Sequence, residues 1–169
     1  TTLAEICRRL DGIPLALELA AARLNVLSLE QISVRLKDRF RLLTGGNRTA
    51  VARQRTLEAT IGWSHDLLAE AEQRLFYRLS VFPGGWTLEA AEEVCSGDPI
   101  VREDMLEYLS RLVDKSLVSV EPPHDADTSG GRRYRFLETI RQYGRDRLLR
   151  SEEAAQIRER HLEFFMALA

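Results

Sequence analysis

The sequence predicts a mainly α-helical protein that carries one short β-hairpin. Apolar residues recur at helical spacing along most of the 169 residues, whereas residues 117–120 and 133–137 alternate as strands do. Hydrophobic residues make up 44% and charged residues 30% of the chain, a composition typical of globular proteins. Because no apolar run approaches the ~20 residues that cross a bilayer, we expect no membrane partner.

Residues 1–50 are predicted to form a helical subdomain. Their first helix has an apolar stripe at Leu3, Ile6, Cys7 and Leu10. Gly12 is suited to the left-handed cap that ends a helix, and Pro14 to the first position of the next. Ser28 with Gln31 forms a capping box that opens a third helix, and the glycines and asparagine at 45–47 predict its stop.

Residues 51–137 are predicted to form a winged-helix subdomain. Helical spacing recurs from about Arg55 and again from about Glu70, and Thr87 is a candidate cap for a helix that runs to about Cys95. A further helix is predicted over 103–115, and the strands that follow enclose a polar loop at 122–131. Three helices followed by a two-stranded wing are the winged variant of helix-turn-helix. Residues 138–169 return to helical spacing and are predicted to begin a C-terminal helical sensor or repeat region.

Charge is distributed unevenly along the chain. The net charge is −2, but residues 51–131 carry seven basic and fifteen acidic side chains, a net charge of −8. The predicted helix over 103–115 holds four carboxylates against Arg111 and Lys115. Affinity for DNA depends on basic residues that neutralise phosphates, so this pattern argues against direct DNA binding. The favourable cluster is Arg132, Arg133 and Arg135, and a DNA-binding winged-helix module is the alternative interpretation.

No catalytic or metal site is predicted. Cys7 and Cys95 lie far apart, and the three histidines stand on different segments, so neither a disulfide framework nor a metal cluster is indicated. The run Ser64-His65-Asp66 has the residue types of a catalytic triad, but neighbours on a helix point in different directions. We therefore expect His65 to be a polar surface residue. The sparse cysteines are typical of a protein in the reducing cytoplasm, where we expect the chain to reside.

Three segments carry a resemblance to a known family. They are CRRLDGIPLALELAAARL (7–24), RTLEATIGWSHDLLAEAEQRLFYRLSVFPGGWTLEAAEEVC (55–95) and YRFLETIRQYGRDRL (134–148). In this order they resemble the GxP helical subdomain, the winged-helix subdomain and the following helix of STAND-class signalling ATPases, the NB-ARC proteins. The resemblance covers nearly the whole chain. Within this class, the chain is similar to large actinobacterial transcriptional regulators of the LuxR type or the cyclase-like type.

The resemblance implies nucleotide-binding roles for four residues. Gly12, Ile13 and Pro14 match the GxP motif, whose proline packs on the adenine of ATP or ADP. Leu137 stands where the family has a phosphate-contacting histidine. The leucine side chain can neither donate a hydrogen bond nor carry a charge. The contact that the histidine makes with the nucleotide phosphates is therefore absent here or is made by other residues. Glu138 supplies the acidic residue that the family has at the start of the following helix, where a carboxylate interacts favourably with the helix dipole.

The sequence has no GxxxxGK[ST] phosphate loop and no acidic strand end for magnesium. The resemblance therefore implies ATP or ADP as a cofactor in the full-length protein only, and we expect none for this fragment and no enzymatic activity. The implied partners are an upstream P-loop ATPase domain and a downstream sensor or repeat domain of the same chain. The resemblance leaves open whether activation produces an oligomer. The expected function is a regulatory fragment that senses the ATP or ADP state and relays it by subdomain movement.

Overall fold

The computed structural model describes residues 2–10, 13–43, 49–121 and 132–168. The chain divides into two compact units, Thr1–Leu68 and Ala69–Ala169. The fold is mainly helical with one small sheet, as the sequence predicted. The predicted subdomain boundaries at 50 and 137 stay predictions. The predicted stops at 11–12 and 45–47 and the predicted loop at 122–131 lie outside the described residues.

The first unit contains four described helices: α1 Thr2–Arg9, α2 Pro14–Ala21, α3 Leu29–Leu43 and α4 Thr49–Asp66. Pro14 is the first residue of α2, as predicted, and Ile13 before it is extended because a proline disfavours the helical region for its predecessor. The predicted capping box is confirmed. The Ser28 amide donates to Gln31 Oε1 over 2.9 Å, and the Gln31 amide donates to Ser28 Oγ over 3.3 Å.

The core of the first unit corrects one prediction. The buried apolar cluster is built from all four helices: Ile6, Leu10, Ala16, Ala20, Ile32, Leu36 and Trp63. His65, predicted to lie on the surface, is buried with 4% of its area exposed. The prediction was wrong because α4 is buried on more than one face, from Ile61 to His65, so a polar residue type did not indicate an exposed position.

The second unit alternates helices and short strands. Its elements are α5 Glu70–Leu79, β1 Trp86–Thr87, α6 Leu88–Cys95, α7 Met105–Asp114, β2 Ser119–Val120, β3 Arg133–Arg135, α8 Glu138–Arg150 and α9 Ala154–Leu168. A 3-10 turn at Arg102–Asp104 precedes α7. The Thr87 hydroxyl accepts a hydrogen bond from the Ala90 amide over 3.2 Å, which confirms the predicted cap of α6.

The three strands form an antiparallel sheet in the order β1-β3-β2. Trp86 pairs with Tyr134, and Val120 pairs with Tyr134 from the other side. The sequence did not predict β1, because two residues are too short to show an alternating pattern. The strand β2 begins later than predicted, because the Leu117 and Val118 amides still bond the Leu112 carbonyl at the end of α7.

Aromatic side chains connect the sheet to the helices. The Phe136 ring, just after β3, lies 5.2 Å from the Phe76 ring of α5 and 5.0 Å from the Trp86 ring of β1. The Trp86 ring also stacks on Phe82 at 5.7 Å. Aromatic contacts at these spacings add to the stabilisation that burial of the rings provides. They fix the position of β3 and therefore of the wing to which β3 belongs.

A buried arginine joins the ends of several elements in the second unit. Arg78 of α5 is only 4% exposed. Its guanidinium donates to the carbonyls of Cys95, Gly97 and Asp98 over 2.8–2.9 Å. It also donates to both carboxylate oxygens of Glu153, at 2.9 and 2.8 Å. Arg78 therefore connects α5 to the turn after α6 and to the start of α9.

We expect Gly85→Ala to destabilise the protein and Gly84→Ala to leave it unchanged. A Cβ at Gly85 would lie 2.9 Å from the Tyr134 carbonyl oxygen, a backbone atom that cannot move without disturbing the β1–β3 pairing, whereas a Cβ at Gly84 meets nothing within 4 Å. The expected loss for Gly85→Ala is about 1–3 kcal/mol, against less than about 0.5 kcal/mol for Gly84→Ala. Differential scanning calorimetry of the two variants measures this difference, and equal melting temperatures would contradict the close approach.

Stability should depend on the ionisation of Glu153. Its hydrogen bonds from Arg78 are the main cause that holds the pKa of this carboxyl below its ordinary value of 4.5. A lowered folded-state pKa means that the stabilisation is fully present above pH 4.5 and is lost as the pH falls through the folded pKa. Glu153→Gln should therefore cost about 1–3 kcal/mol at neutral pH and progressively less in acid.

Urea unfolding of both proteins across this pH range measures the effect, with Glu152→Gln as the matched control. Glu152 is the exposed neighbour of Glu153, so its substitution should change the free energy of unfolding by less than about 0.5 kcal/mol. A cost of Glu153→Gln that is the same at all pH values would show that charge plays no part.

Candidate nucleic-acid interface

Helix α7 occupies the position of the recognition helix in the helix-turn-helix arrangement, after α6 and the intervening turn. Met105, Leu109 and Leu112 repeat at helical spacing and are fully buried, which holds this face of α7 against the core. The opposite face is exposed and consists of Leu106, Glu107, Ser110, Arg111 and Asp114. The fold thus presents one side of α7 outward.

The end of α7 sets the direction in which the wing begins. Ser116 has a φ of 56°, in the left-handed region that non-glycine residues adopt uncommonly. The Ser116 amide bonds the Val113 carbonyl at 2.8 Å, and the Leu117 amide bonds the Leu112 carbonyl at 3.0 Å. These two bonds form a Schellman motif, which ends the helix and turns the chain into β2.

Both basic side chains at the C-terminal part of α7 are paired with a buried carboxylate. Glu72 of α5 is only 2% exposed, and its Oε2 lies 2.6 Å from Lys115 Nζ. Arg111 lies 3.8 Å from Glu72 Oε1 and also bonds Glu107, one turn earlier on α7. The sequence did not predict this role of Glu72, because no local pattern connects residues 43 positions apart.

The wing carries the positive charge of this surface. Arg132, Arg133 and Arg135 are exposed around strand β3, on either side of the buried Tyr134. Arg133 Nε and Arg135 Nη1 lie 3.5 and 3.7 Å from the Glu121 carboxylate, and Arg133 donates to the Gly85 carbonyl over 3.0 Å. Both guanidinium side chains are still 54% exposed. Arg133 and Arg135 therefore share one carboxylate, and Arg132 adds a third exposed positive charge to the described part of the wing.

The residues predicted to bind nucleotide lie in both units. Gly12 lies outside the described residues. Ile13 packs partly buried against the core of the first unit, whereas Pro14 is exposed at the start of α2. Leu137 belongs to the second unit, where it is the N-cap residue of α8 with 38% of its area exposed. Glu138 follows as the first residue of α8, and hydrogen bonds from Arg141 lower its pKa to about 2. The nucleotide-binding roles stay predictions.

The other residue types considered for chemistry have structural partners. Ser64 accepts hydrogen bonds from the buried Arg23 side chain, at its carbonyl over 3.0 Å and also at its hydroxyl. His65 Nδ1 lies 3.3 Å from Asp66 Oδ1. Within the described residues, no group of three or more His, Cys, Asp and Glu side chains could hold a metal ion. None of the helices described is both long enough and apolar enough to cross a membrane.

Comparison with known families supports the assignment of these elements. Residues 68–149 match the family described as a winged helix-turn-helix domain. This range contains α5, α6, α7, the three strands and nearly all of α8. The chain contains a winged helix-turn-helix domain. The predicted fold class is therefore confirmed, with α7 in the position of the recognition helix and β2–β3 as the wing.

The chain is also similar to curated mycobacterial proteins. It is 50% identical over 165 residues to proteins of Mycobacterium bovis and Mycobacterium tuberculosis, each named "Putative HTH-type transcriptional regulator". It is 44% identical over 165 residues to a second, uncharacterized protein of Mycobacterium tuberculosis. These matches cover 98% and 95% of this chain, but only 18% and 40% of the respective relatives. The homologous regulators are thus much longer than the chain described.

These findings correct the expectation that direct DNA binding does not occur. A winged helix-turn-helix domain with homologues named as transcriptional regulators points to DNA binding, so the argument from charge was wrong. It treated the net charge of a whole segment as if that charge described one surface of the folded domain. The wing arginines are local to one strand, and a sum over 51–131 does not include them.

Proposed function

We propose that this chain contributes the DNA-binding winged-helix module of a longer transcriptional regulator, and that the wing supplies most of its phosphate contacts. The observation that carries the proposal is the exposure of Arg132, Arg133 and Arg135 on a wing next to an exposed helix α7. Arginine suits this role because its planar guanidinium can bind a phosphate through two hydrogen bonds. Phosphate contacts of this kind position a protein on the duplex.

Compared with the wing, helix α7 is suited to contribute less to the affinity for DNA and more to the contacts with bases. Its exposed Leu106 and Ser110 carry no charge, and they can meet a thymine methyl group or a base edge. Glu107 is paired with Arg111, and Lys115 with Glu72, so few unpaired charges remain near the middle of the helix. Contact through α7 would therefore be short-ranged, while the wing provides the long-range attraction.

Removal of the three wing arginines should weaken DNA binding and reduce its salt dependence. Each phosphate contact changes the slope of log K against log salt by about −0.9, so three contacts contribute about −2.7. The variant Arg132→Ala/Arg133→Ala/Arg135→Ala should lose most of this slope. Fluorescence anisotropy of a labelled mixed-sequence duplex, titrated with the 169-residue chain at several salt concentrations, measures both quantities.

The matched control removes the same charge from other helices. Arg8, Arg35 and Arg150 are exposed on α1, α3 and α8, and their triple alanine variant should retain most of the salt slope. Equal losses in the two variants would mean that overall charge rather than the wing drives association. Absence of any complex with wild type at low salt would overturn the proposal, and selection from a randomised duplex library reveals any preferred sequence.

A second candidate function is ATP or ADP binding in the longer protein. The observation that favours it is the exposed ring of Pro14 at the first position of α2, where it is available to contact a base. This candidate is independent of the DNA-binding proposal.

In the longer protein, Pro14→Ala should weaken nucleotide binding with little loss of stability, because alanine is a good helix former at an exposed position. Fluorescence titration with labelled ADP measures the affinity, and the melting temperature reports the fold. The exposed Leu3→Ala variant of α1 is the control. Unchanged affinity for ADP in the Pro14 variant would remove the base-contact role.

A further inference from the structure

A cavity of about 330 Å³ lies in the second unit, and its lining includes no residue of α7 or of the wing. Three segments line it: residues 80–83 after α5, the outer part of α8 from Arg141 to Leu149, and Arg158 with His161 of α9. This volume is within the lower range of small-molecule sites, which are concave, largely apolar and equipped with a few polar groups.

The three arginines in the cavity lining differ in how far they are neutralised. Arg141 makes two hydrogen bonds to Glu138, at 2.8 and 2.7 Å, which neutralise it. Arg145 and Arg158 also line the cavity, and within the described residues neither makes a hydrogen bond or an ion pair, although Arg145 interacts electrostatically with the Glu138 carboxylate that Arg141 already bonds. Two guanidinium groups at one concave site favour an anion, because carboxylates and phosphates accept their forked hydrogen bonds.

His161 adds an unsatisfied polar atom to the same site. Its ring packs 5.0 Å from the Phe82 ring and 4.8 Å from the Phe165 ring. Its Nε2 is buried, and no described group bonds it. Burial lowers the pKa of this imidazole, which favours its neutral form. Buried polar atoms in folded proteins nearly always have a partner, and none is described for this nitrogen.

The remaining lining is apolar apart from Ser80, whose hydroxyl donates to the Tyr77 carbonyl. Val81 and Pro83 follow α5, and Leu148 of α8 is buried with 2% of its area exposed. Inorganic phosphate would leave these surfaces without contact. A ligand with an apolar group beside its oxyanion would instead use both parts of the site, because burial of apolar surface adds to the affinity.

We propose that this cavity binds a small organic anion, whose carboxylate or phosphate contacts Arg145 and Arg158 and whose apolar part packs against Val81, Pro83 and Leu148. The site does not depend on the DNA-binding proposal, since it uses none of the wing residues. Because α8 begins three residues after β3 ends, a ligand in this cavity would contact the helix that directly follows the wing in the sequence.

Isothermal titration calorimetry of the 169-residue chain with four probes tests the proposal. The probes are phenyl phosphate, phenylacetate, inorganic phosphate and the uncharged benzyl alcohol. Phenyl phosphate or phenylacetate should bind with a Kd of about 1 mM or tighter at low salt, and both inorganic phosphate and benzyl alcohol should bind more weakly. The stronger of the two organic anions identifies the preferred head group.

The double variant Arg145→Ala/Arg158→Ala should weaken the organic anion by about tenfold or more, because two charge-assisted contacts are lost. Arg150→Ala is the matched control, since Arg150 is an exposed arginine of α8 that does not line the cavity. If the alanine variant fails to fold by circular dichroism, Arg145→Gln/Arg158→Gln replaces it.

Three results would overturn the inference. One is the absence of binding by both organic anions at about 10 mM, well above the expected Kd. Another is equal binding to wild type and the double variant. The third is displacement of phenyl phosphate by duplex DNA together with loss of DNA binding in the double variant, which would assign these arginines to the DNA surface instead. Retained DNA binding with loss of the organic anion supports a separate ligand site.

Discussion

The second unit depends on the burial of one positive charge. Arg78 is almost fully enclosed, and a buried charge is tolerated only when partners replace the water that it loses. Three backbone carbonyls and the Glu153 carboxylate provide those partners. Because the carbonyls belong to the turn after α6 and the carboxylate to the start of α9, the whole arrangement must form together. The helix-turn-helix and the C-terminal helix pair are thereby parts of one structural unit.

A second buried charge determines which basic side chains of the second unit are paired. Glu72 lies inside the unit and pairs with Lys115 and Arg111, so both basic side chains at the C-terminal part of α7 are occupied. Among the described residues, Arg133 and Arg135 of β3 share the Glu121 carboxylate, and both guanidinium side chains stay half exposed. The same wing that completes the sheet therefore concentrates positive charge at the protein surface.

The cavity between the end of α5, α8 and α9 shows what pattern reasoning overlooks. Its polar groups, Arg145, Arg158 and His161, were ordinary helix residues in the sequence, and His161 in particular had no distinguishing neighbour pattern. They share a site only because the helix pair folds back over residues 80–83. Lining residues from three segments carry no local spacing, and only their convergence in space indicates a ligand.

The sequence by itself determined the elements whose cause is local. The periodic apolar stripe of α7, the Thr87 cap, the Ser28–Gln31 capping box and the proline that starts α2 depend on residues within a few positions of one another. The two-residue strand β1, the burial of His65 and the pairing of Glu72 with Lys115 were decided by tertiary structure. In each of these the partner lies far along the chain, so the deciding contact exists only after the helices and the sheet have packed together.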